Sequence, residues 1–298
     1  MINGDRKLSI IQRLFYFPQC IKNWFQNPGY RLSINSVHLK YDPIFLGSPS
    51  RILCNMFWKS IDWNYISAQL DGEINILDLA CGSGRYGLKY QQYLGANFGS
   101  YTGLDIYKSS DFPDSFEHIL DKAENLISHY KNQNLIVSQS ALEHIEKDTQ
   151  CLKDALNSQI HSSRKFMQIH LLPASISLFL YLWHGWRQYS LRNLSSISGE
   201  LNSVANIQIR VFPIGGFRSF YAHFRHITLP VYFFKIFKRE YHNQNIKGSN
   251  ASTKIRSAVL NDRNAKGLFP IFWAFVICSK EIDCSKLFKN KEYLKNNS

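Results

Sequence analysis

Acidic residues and a glycine turn follow one another in the first half of the chain, with a spacing suited to nucleotide chemistry. Asp78 lies inside a short apolar run of strand type, Ile74–Leu79, and the turn Gly82-Ser83-Gly84 comes soon afterwards. Gly82 and Gly84 both lack a Cβ, so backbone N–H groups at this turn are expected to approach a bound nucleotide closely. A buried carboxylate is costly without a partner. We therefore expect Asp78 to face the pocket mouth and a cation or hydrogen-bond donor.

A second short strand, within Tyr101–Tyr107, ends in Asp105. An acid at the end of the second strand can accept hydrogen bonds from both ribose hydroxyls of an adenosine. The sequence therefore predicts nucleotide binding at Asp105 without choosing the cofactor.

The order of these features resembles the class I S-adenosylmethionine-dependent methyltransferases. Asp78 and the turn Ala80 to Gly84 match that family's first motif position by position. The resemblance implies S-adenosylmethionine as cofactor, with its methionine amino group near the acid. Gly82, Gly84 and Gly87 also spell the dinucleotide fingerprint G-x-G-x-x-G, so a dehydrogenase is the rival interpretation. The residues that separate the strand from the first glycine favour the methyltransferase.

The same resemblance implies further cofactor contacts. Asp121, after a predicted third strand, corresponds to an acid placed against the adenine amino group, or else it caps a helix. Leu135–Ile145 resembles the fourth-strand motif, a polar strand end followed by Leu-Glu-His, although Asn134 stands where many such enzymes have Asp. The expected cofactor contacts are Asp78, Ala80, Cys81, Gly82, Ser83, Gly84, Asp105, Ile106, Asp121, Lys122, Gln139 and Ser140.

A hydroxyl acceptor would benefit from a general base, and histidine suits that role near neutral pH. The first candidate is His170, at the end of a predicted fifth strand, Phe166–His170. His144 is the second candidate, with Glu143 as an assisting acid, although alignment of the substrates alone can also suffice. Glu143 and His144 lack a second acid–histidine pair, so we expect no metal site.

Recognition of the acceptor is expected in a cap at about 171–240, after the fifth strand. Its aromatic side chains would stack on a sugar ring or fill a core, and an arginine would contact an anionic acceptor. The expected acceptor contacts are Trp183, Trp186, Tyr189, Arg218 and His223. The segment after the fifth strand loosely resembles bacterial methyltransferases of surface-polysaccharide biosynthesis. This implies O-methylation of a small molecule or glycan. An RNA or protein methyltransferase and a non-catalytic nucleotide-binding subunit stay open.

Predicted strands and helices alternate through Ile160, and an apolar final strand, Phe272–Cys278, follows. This pattern predicts an α/β fold, and the resemblance implies a Rossmann-like, mainly parallel, seven-stranded sheet with helices on both faces. We expect a basic helical extension over 1–70, the methyltransferase domain over 71–280 and a polar tail over 281–298. The polar run Asn243–Lys266 is expected to be a long surface loop. The six cysteines contain no C-x-x-C pair that would indicate a disulfide framework or a zinc site.

The formal net charge is +13, and the flanks carry it. Residues 1–70 hold 8 basic and 3 acidic side chains, residues 71–234 hold 14 of each, and residues 235–298 hold 13 and 5. Basic flanks favour an anionic partner, such as a membrane surface or a lipid-linked or acidic glycan, with nucleic acid ranked lower. Aromatic and basic residues in Leu8–Phe25 suit either a helix in the membrane interface or a packed cap. No signal peptide or membrane-spanning run is evident. We therefore expect a cytoplasmic protein, with peripheral contact at the inner face of the membrane as a further option.

Overall fold

Seven strands form a single sheet in the computed structural model. The structure describes residues 18, 21–22, 24–25, 28–41, 47–162, 164–181, 185–231, 250–264 and 269–288. The strands are β1 Ile74–Leu79, β2 Phe98–Asp105, β3 Glu117–Leu120, β4 Leu135–Gln139, β5 Met167–Pro173, β6 Ile207–Ile214 and β7 Phe272–Ser279. Their order is β3-β2-β1-β4-β5-β7-β6, and β7 alone runs antiparallel to its neighbours. The predicted Rossmann-like, mainly parallel α/β fold is confirmed.

Helices cover both faces of the sheet. We call face A the side to which Ile76, Val137 and Ile169 point, and face B the side to which Leu77, Ile136 and Leu172 point. Face A is covered by α1 Pro49–Ser60, α2 Trp63–Gln69, α3 Arg85–Leu94, α5 Leu178–Tyr181, α7 Phe217–His223 and α8 Asn250–Asn261. Face B is covered by α4 Asp148–His161 and α6 Leu191–Asn202. In the described part of the chain, no helix has the length and apolar character needed to cross a bilayer.

The alternation of side chains along each strand decides which polar residues share a face. Successive residues of a strand point to opposite sides. Asp78 has the parity of Ile76, and Gln139 has that of Val137, so both point to face A. His170 has the parity of Leu172 and points to face B. The carboxyl ends of β1 and β4 therefore build a site on face A, and His170 is turned away from it.

β6 is the strand that the sequence did not locate. Its apolar residues Ile207, Ile209 and Val211 alternate with Gln208 and Arg210, which is the period-two pattern of a strand. It lies inside the interval, about 171–240, that was expected to form a cap. The strand was not predicted because this interval was interpreted as a cap, although the alternation is visible in the sequence.

Two smaller expectations differ from the structure. The described part of the polar run Asn243–Lys266 contains α8, so the predicted loop is wrong there. Ile255 and Val259, one helical turn apart, are buried in the core and hold α8 on face A. Cys278 and Cys284 form a disulfide, which their spacing did not indicate.

Candidate functional site

The turn between β1 and α3 is left-handed at alternate residues. Ala80, Gly82 and Gly84 have φ values of 54°, 58° and 64°. Glycine adopts this conformation readily, whereas an alanine pays a steric penalty through its Cβ. The Ala80 N–H donates a hydrogen bond of 2.7 Å to the carbonyl of Leu104, which holds the turn beside the end of β2. Backbone strain of this kind is typical of ligand-binding turns.

Gly82 and Gly84 have different roles. A Cβ built on Gly82 meets nothing within 4 Å, so open space lies over this residue. A Cβ on Gly84 would lie 2.5 Å from the ring of Phe112, a buried residue of the loop after β2. The prediction that both glycines make room for a ligand is therefore corrected: Gly84 makes room for Phe112. Only Gly82 leaves space for a ligand.

Asp78 is a buried carboxyl group at the carboxyl end of β1. Its side chain is 6% exposed, and it accepts a hydrogen bond of 2.6 Å from the phenol of Tyr101. Burial raises the pKa of Asp78 to about 7; the Tyr101 hydrogen bond opposes the rise, and the nearby Asp105 charge adds to it. A second buried donor or a cation would favour the ionised form.

Asp105 ends β2 on the other side of the glycine turn. Its Oδ2 accepts a hydrogen bond of 2.8 Å from the N–H of Gly82, and its Oδ1 accepts one of 3.1 Å from the N–H of Tyr107. The Asp105 carboxylate is therefore fixed at the turn. Asp105 therefore lies beside Gly82, which borders open space, and its charge is close enough to Asp78 to raise the pKa of that carboxyl group.

The end of β4 is held by two aromatic residues that the sequence analysis did not single out. Trp58 of α1 donates from its indole N–H to Gln139 Oε1 at 2.8 Å. Gln139 Nε2 donates to the hydroxyl of Tyr86, in the first turn of α3, at 3.0 Å. Because the Tyr86 oxygen accepts from Gln139, its own proton is available to another acceptor. The N-terminal region thus contributes α1 directly to the site.

Helix α1 begins at a well-defined cap. Pro49 occupies its first position, and the Ser48 hydroxyl accepts a hydrogen bond of 3.3 Å from the N–H of Arg51. This cap fixes the residue at which α1 begins, and so the positions of Ser50, Arg51 and Trp58 along the helix. The signal available in the sequence was the pair Ser48-Pro49 before an apolar stretch.

Asp121 binds the segment that follows it. Its Oδ1 accepts hydrogen bonds from the N–H of Lys122 at 2.7 Å and from Asn125 Nδ2 at 2.9 Å, and its Oδ2 lies 2.7 Å from His129 Nε2. The His129 hydrogen bond, followed by those of Lys122 and Asn125, lowers the pKa of Asp121 to about 2. Lys122, not Asp121, is the N-cap of the 3-10 helix that follows, and no side chain caps that helix. The helix-cap alternative is therefore wrong, and the carboxylate of Asp121 is engaged by side chains of its own segment.

The remaining expected cofactor contacts surround the same edge. Ser140 follows β4 with a φ of 50° and is exposed. Ile106 follows Asp105 and is 47% exposed. Cys81 and Ser83 lie in the turn, and the Cys81 thiol packs beside Gly103 of β2. These residues follow the carboxyl ends of β1, β2 and β4.

His170 does not lie in the site. Its ring is fully buried on face B, with Nδ1 at 2.8 Å from Ser138 Oγ and Nε2 at 3.1 Å from Gln168 Oε1. Burial lowers the pKa of His170 to about 3, so the ring is neutral at physiological pH. The choice of His170 as general base is therefore wrong: strand alternation points it into the helix layer opposite Asp78.

Glu143 and His144 lie in a short 3-10 turn after β4, Leu142–His144. The Glu143 side chain is 1% exposed, whereas His144 is 22% exposed, and 3.8 Å separates His144 Nε2 from Glu143 Oε1. The Glu143 carbonyl accepts a hydrogen bond of 2.6 Å from the N–H of Trp186. Within the described ranges, no group of three or more His, Cys, Asp or Glu residues is placed to hold a metal ion.

A second polar cluster lies further along face A. Tyr181 of α5 donates from its hydroxyl to Ser50 Oγ, and Ser50 Oγ lies 2.9 Å from His223 Nδ1 of α7. The direction of the Ser50–His223 hydrogen bond is set by the histidine tautomer, and His223 accepts from Ser50 when its ring proton is on Nε2. Burial lowers the pKa of His223 to about 4, so this ring is also neutral at physiological pH. We call Tyr181, Ser50 and His223 the hydroxyl–imidazole chain.

Residues of α1 connect this chain to the glycine turn. Arg51 and Cys54 influence both the Tyr86 hydroxyl, which belongs to the Gln139 network, and the Tyr181 hydroxyl. Burial comes first among the causes that raise the pKa of both phenols. Both networks are therefore close enough to Arg51 and Cys54 of α1 for an electrostatic interaction.

The other expected acceptor contacts are dispersed. Tyr189 is buried on face B, where its hydroxyl donates to Asp148 Oδ2 at 2.7 Å, so the prediction that it stacks on an acceptor is corrected to a core role. Trp186 is half-buried beside Glu143. Arg218 is exposed, and Trp183 lies outside the described residues.

A scan against protein-family models finds no match, and a search of curated proteins finds none either. Among solved structures, the chain is similar to the plantazolicin methyltransferase BamL in complex with a triazolic desmethylPZN analog and SAH, at 16% identity over 73% of this chain and 81% of that one, with a TM-score of 0.44. It is also similar to the plantazolicin methyltransferase BpumL in complex with a monoazolic desmethylPZN analog and SAH, at 14% identity over 78% of this chain and 84% of that one, with a TM-score of 0.46. A SAM dependent methyltransferase from Archaeoglobus fulgidus is 17% identical over 78% of this chain and 95% of that one, with a TM-score of 0.42. Sequence identities and TM-scores this low do not indicate a shared activity or substrate.

Proposed function

We propose that this chain is an S-adenosylmethionine-dependent methyltransferase that methylates a hydroxyl group of a small molecule or glycan. The observation that carries the proposal is a pair of neighbouring carboxyl groups. Asp105 accepts a hydrogen bond from the N–H of Gly82, which borders open space, and the charge of Asp105 raises the pKa of the buried Asp78. The strand ends that meet there belong to β1, β2 and β4, at the edge where ligands bind in open α/β sheets.

The charge at the glycine turn distinguishes the two cofactors. S-adenosylmethionine carries an ammonium and a sulfonium, and a cation beside Asp78 would offset the burial that raises its pKa to about 7. A dinucleotide would bring an anionic pyrophosphate to the same turn. The Gly82 N–H, which would have to bind that pyrophosphate, donates to Asp105 instead. The site therefore favours a cationic nucleoside over NAD.

The residues suggest how the cofactor would be held. Asp105 would accept from the ribose hydroxyls, Asp78 would lie toward the methionine end, and Gly82 would leave room for the ligand. The bound cofactor supplies an already activated methyl group. The protein's task is then to align an acceptor oxygen and to exclude water.

Face A beyond Tyr86 is the proposed acceptor side. Arg51 of α1 interacts electrostatically with both the Tyr86 and the Tyr181 hydroxyls, and its guanidinium would attract an anionic or sugar-phosphate acceptor. In the hydroxyl–imidazole chain, the Tyr181 oxygen would hold the acceptor hydroxyl, and Ser50 and His223 would hold Tyr181 in place. Burial lowers the pKa of His223 to about 4, which makes its ring a weak base at physiological pH, so its role would be to position Tyr181 through Ser50.

The test is a transfer assay with methyl-tritiated S-adenosylmethionine. The full chain is offered sugar and lipid-linked glycan acceptors, bulk RNA and bulk protein in separate reactions. We expect label in the glycan or small-molecule fraction, lost in Asp105→Ala. Label in RNA or protein would show that the chain is a methyltransferase with an RNA or protein acceptor in place of a glycan or small molecule. Cofactor binding without transfer to any fraction would favour a non-catalytic subunit.

A further inference from the structure

The outer side of helix α7 carries a stripe of exposed aromatic and basic residues. The helical conformation that begins at Phe217 continues through a π-helical stretch, Phe224–Thr228, to residue 231. Phe217, Tyr221 and Leu229 are 58%, 56% and 42% exposed, and Arg225 is exposed between them. These positions recur every four residues, so they form one line along the helix.

Neighbouring side chains widen this line into a surface. Phe269, which is 57% exposed, packs its ring edge-on against Phe217 with 6.1 Å between the ring centroids. Arg218 is exposed beside Phe217. We call Phe217, Arg218, Tyr221, Arg225, Leu229 and Phe269 the aromatic–arginine face.

The inner side of the same helix is fully engaged. His223 belongs to the hydroxyl–imidazole chain, and Thr228 Oγ1 donates to the Leu180 carbonyl at 2.9 Å. Ala222 is buried in the core of face A. The helix is therefore fixed by its inner side, and the large outer side chains are not needed to hold it in place.

The charge on this surface is of one sign. Residues 217–231 contain no Asp or Glu. Burial lowers the pKa of His226, and the positive charges of the exposed Lys254 of α8 and of Arg225 lower it further. The carboxylate of Asp262, near the start of the helix, accepts a hydrogen bond of 2.6 Å from the N–H of Ser219. The surface thus combines apolar rings with arginines and suits an anionic, apolar-cored partner.

We propose that the aromatic–arginine face docks on an anionic lipid bilayer. Phe217, Tyr221, Arg225 and Leu229 are exposed at four-residue intervals along one helical segment, which suits a helix resting in a membrane interface. Phenylalanine and leucine would enter the acyl boundary, tyrosine would sit at the headgroups and the arginines would contact lipid phosphates. The net charge of +13 acts in the same direction. This proposal does not depend on the methyltransferase proposal.

The docking would place the hydroxyl–imidazole chain directly behind the membrane-facing helix, because His223 projects from the opposite side of α7. The surface differs from the N-terminal segment Leu8–Phe25, which the sequence suggested for membrane contact and which lies largely outside the described residues. A single experiment can separate the two surfaces.

The experiment is co-sedimentation of the full chain with vesicles of equimolar phosphatidylglycerol and phosphatidylcholine, compared with phosphatidylcholine alone. We expect binding to the anionic vesicles, a loss of tenfold or more in the double variant Phe217→Ala with Tyr221→Ala, and about a fivefold loss for each of Arg218→Gln and Arg225→Gln. The matched control is Leu120→Ala with Ile127→Ala, which removes two residues that are 67% and 57% exposed elsewhere on the surface; it should bind as wild type.

Several results would overturn the proposal. Absence of vesicle binding by the wild type, equal binding to neutral vesicles, or unchanged binding by the Phe217 and Tyr221 double variant would each contradict it. So would light scattering that shows a dimer in the wild type and a monomer in that double variant, since the face would then be a contact between copies. Circular dichroism melts check that each variant is folded.

Discussion

The Tyr101 phenol donates its hydrogen bond to a carboxyl group, Asp78, that has no other polar contact among the described hydrogen bonds and ion pairs. Burial raises the pKa of that carboxyl to about 7. A native group that stays protonated to higher pH than in the unfolded chain binds more protons when folded. Its contribution to stability therefore falls as pH rises from about 4 to about 7.

Asp78→Asn should stabilise the ligand-free protein above pH 7, because the amide can still accept from Tyr101 without a buried charge. The gain is at most about 4 kcal/mol and should vanish near pH 4. Thermal melts of both proteins across this range measure it. If Asp78→Asn is less stable than wild type at pH 8, the ionised Asp78 has a favourable partner besides Tyr101.

The same substitution should weaken S-adenosylmethionine binding. The wild-type affinity should also rise as pH increases through 7, because the ionised carboxylate attracts the cationic ligand. Asp78→Asn should show a flatter pH profile. An affinity that falls as pH rises through 7 would assign Asp78 a different role.

Gly82→Ala and Gly84→Ala form a matched pair at two left-handed positions. Both changes carry a conformational penalty of about 1–2 kcal/mol. Gly84→Ala adds a clash with Phe112 and should lose clearly more stability, whereas Gly82→Ala should remain folded and lose cofactor affinity. Denaturant unfolding and ligand titration separate the effects. Retained affinity in Gly82→Ala would mean that the ligand does not pass over this residue.

His170 should act in folding and not in chemistry. Its ring is neutral in the native state and protonates more easily in the unfolded chain, so it lowers stability as pH falls below about 6.5. At pH 5 this effect is about 2 kcal/mol, and His170→Gln should reduce it. Cofactor affinity of a folded His170→Gln should match wild type. A pH–rate profile altered only by this substitution would restore His170 as a base.

Trp58→Phe removes the donor to Gln139 Oε1 and should cost about 1–3 kcal/mol of stability. It should also weaken cofactor binding, because Gln139 would no longer hold the Tyr86 hydroxyl in one place. Trp273→Phe is the control: it loses a comparable buried indole hydrogen bond, 3.0 Å to the Tyr189 carbonyl, on face B. Equal affinity losses in the two variants would show that the Gln139 network does not position the ligand.

The part of the fold that local pattern determines was predictable from sequence. Asp78, the glycine turn and Asp105 are close in sequence and lie at adjacent strand ends, so their juxtaposition follows from a parallel sheet. The direction of His170 required the register of β5 against β4, which pairs it with Ser138. One residue of difference in that register would have placed it on the other face.

The acceptor side was not predictable for a different reason. In the sequence, Ser50 is more than a hundred residues away from both Tyr181 and His223. The three side chains meet only because α1, α5 and α7 pack on the same face of the sheet. Trp58 lay in a segment interpreted as a basic extension. No periodicity within either segment reports a contact between them, so the assignment depends on tertiary packing.

Calorimetric titration of the full chain with S-adenosylmethionine and, separately, with NAD shows which of the two cofactors the site binds. We predict saturable binding of S-adenosylmethionine alone, lost in Asp105→Ala. It should persist in Asp111→Ala, which removes a nearby exposed carboxylate paired with Arg85 at 2.7 Å. Binding of NAD in place of S-adenosylmethionine, or equal losses in the two variants, would contradict the account.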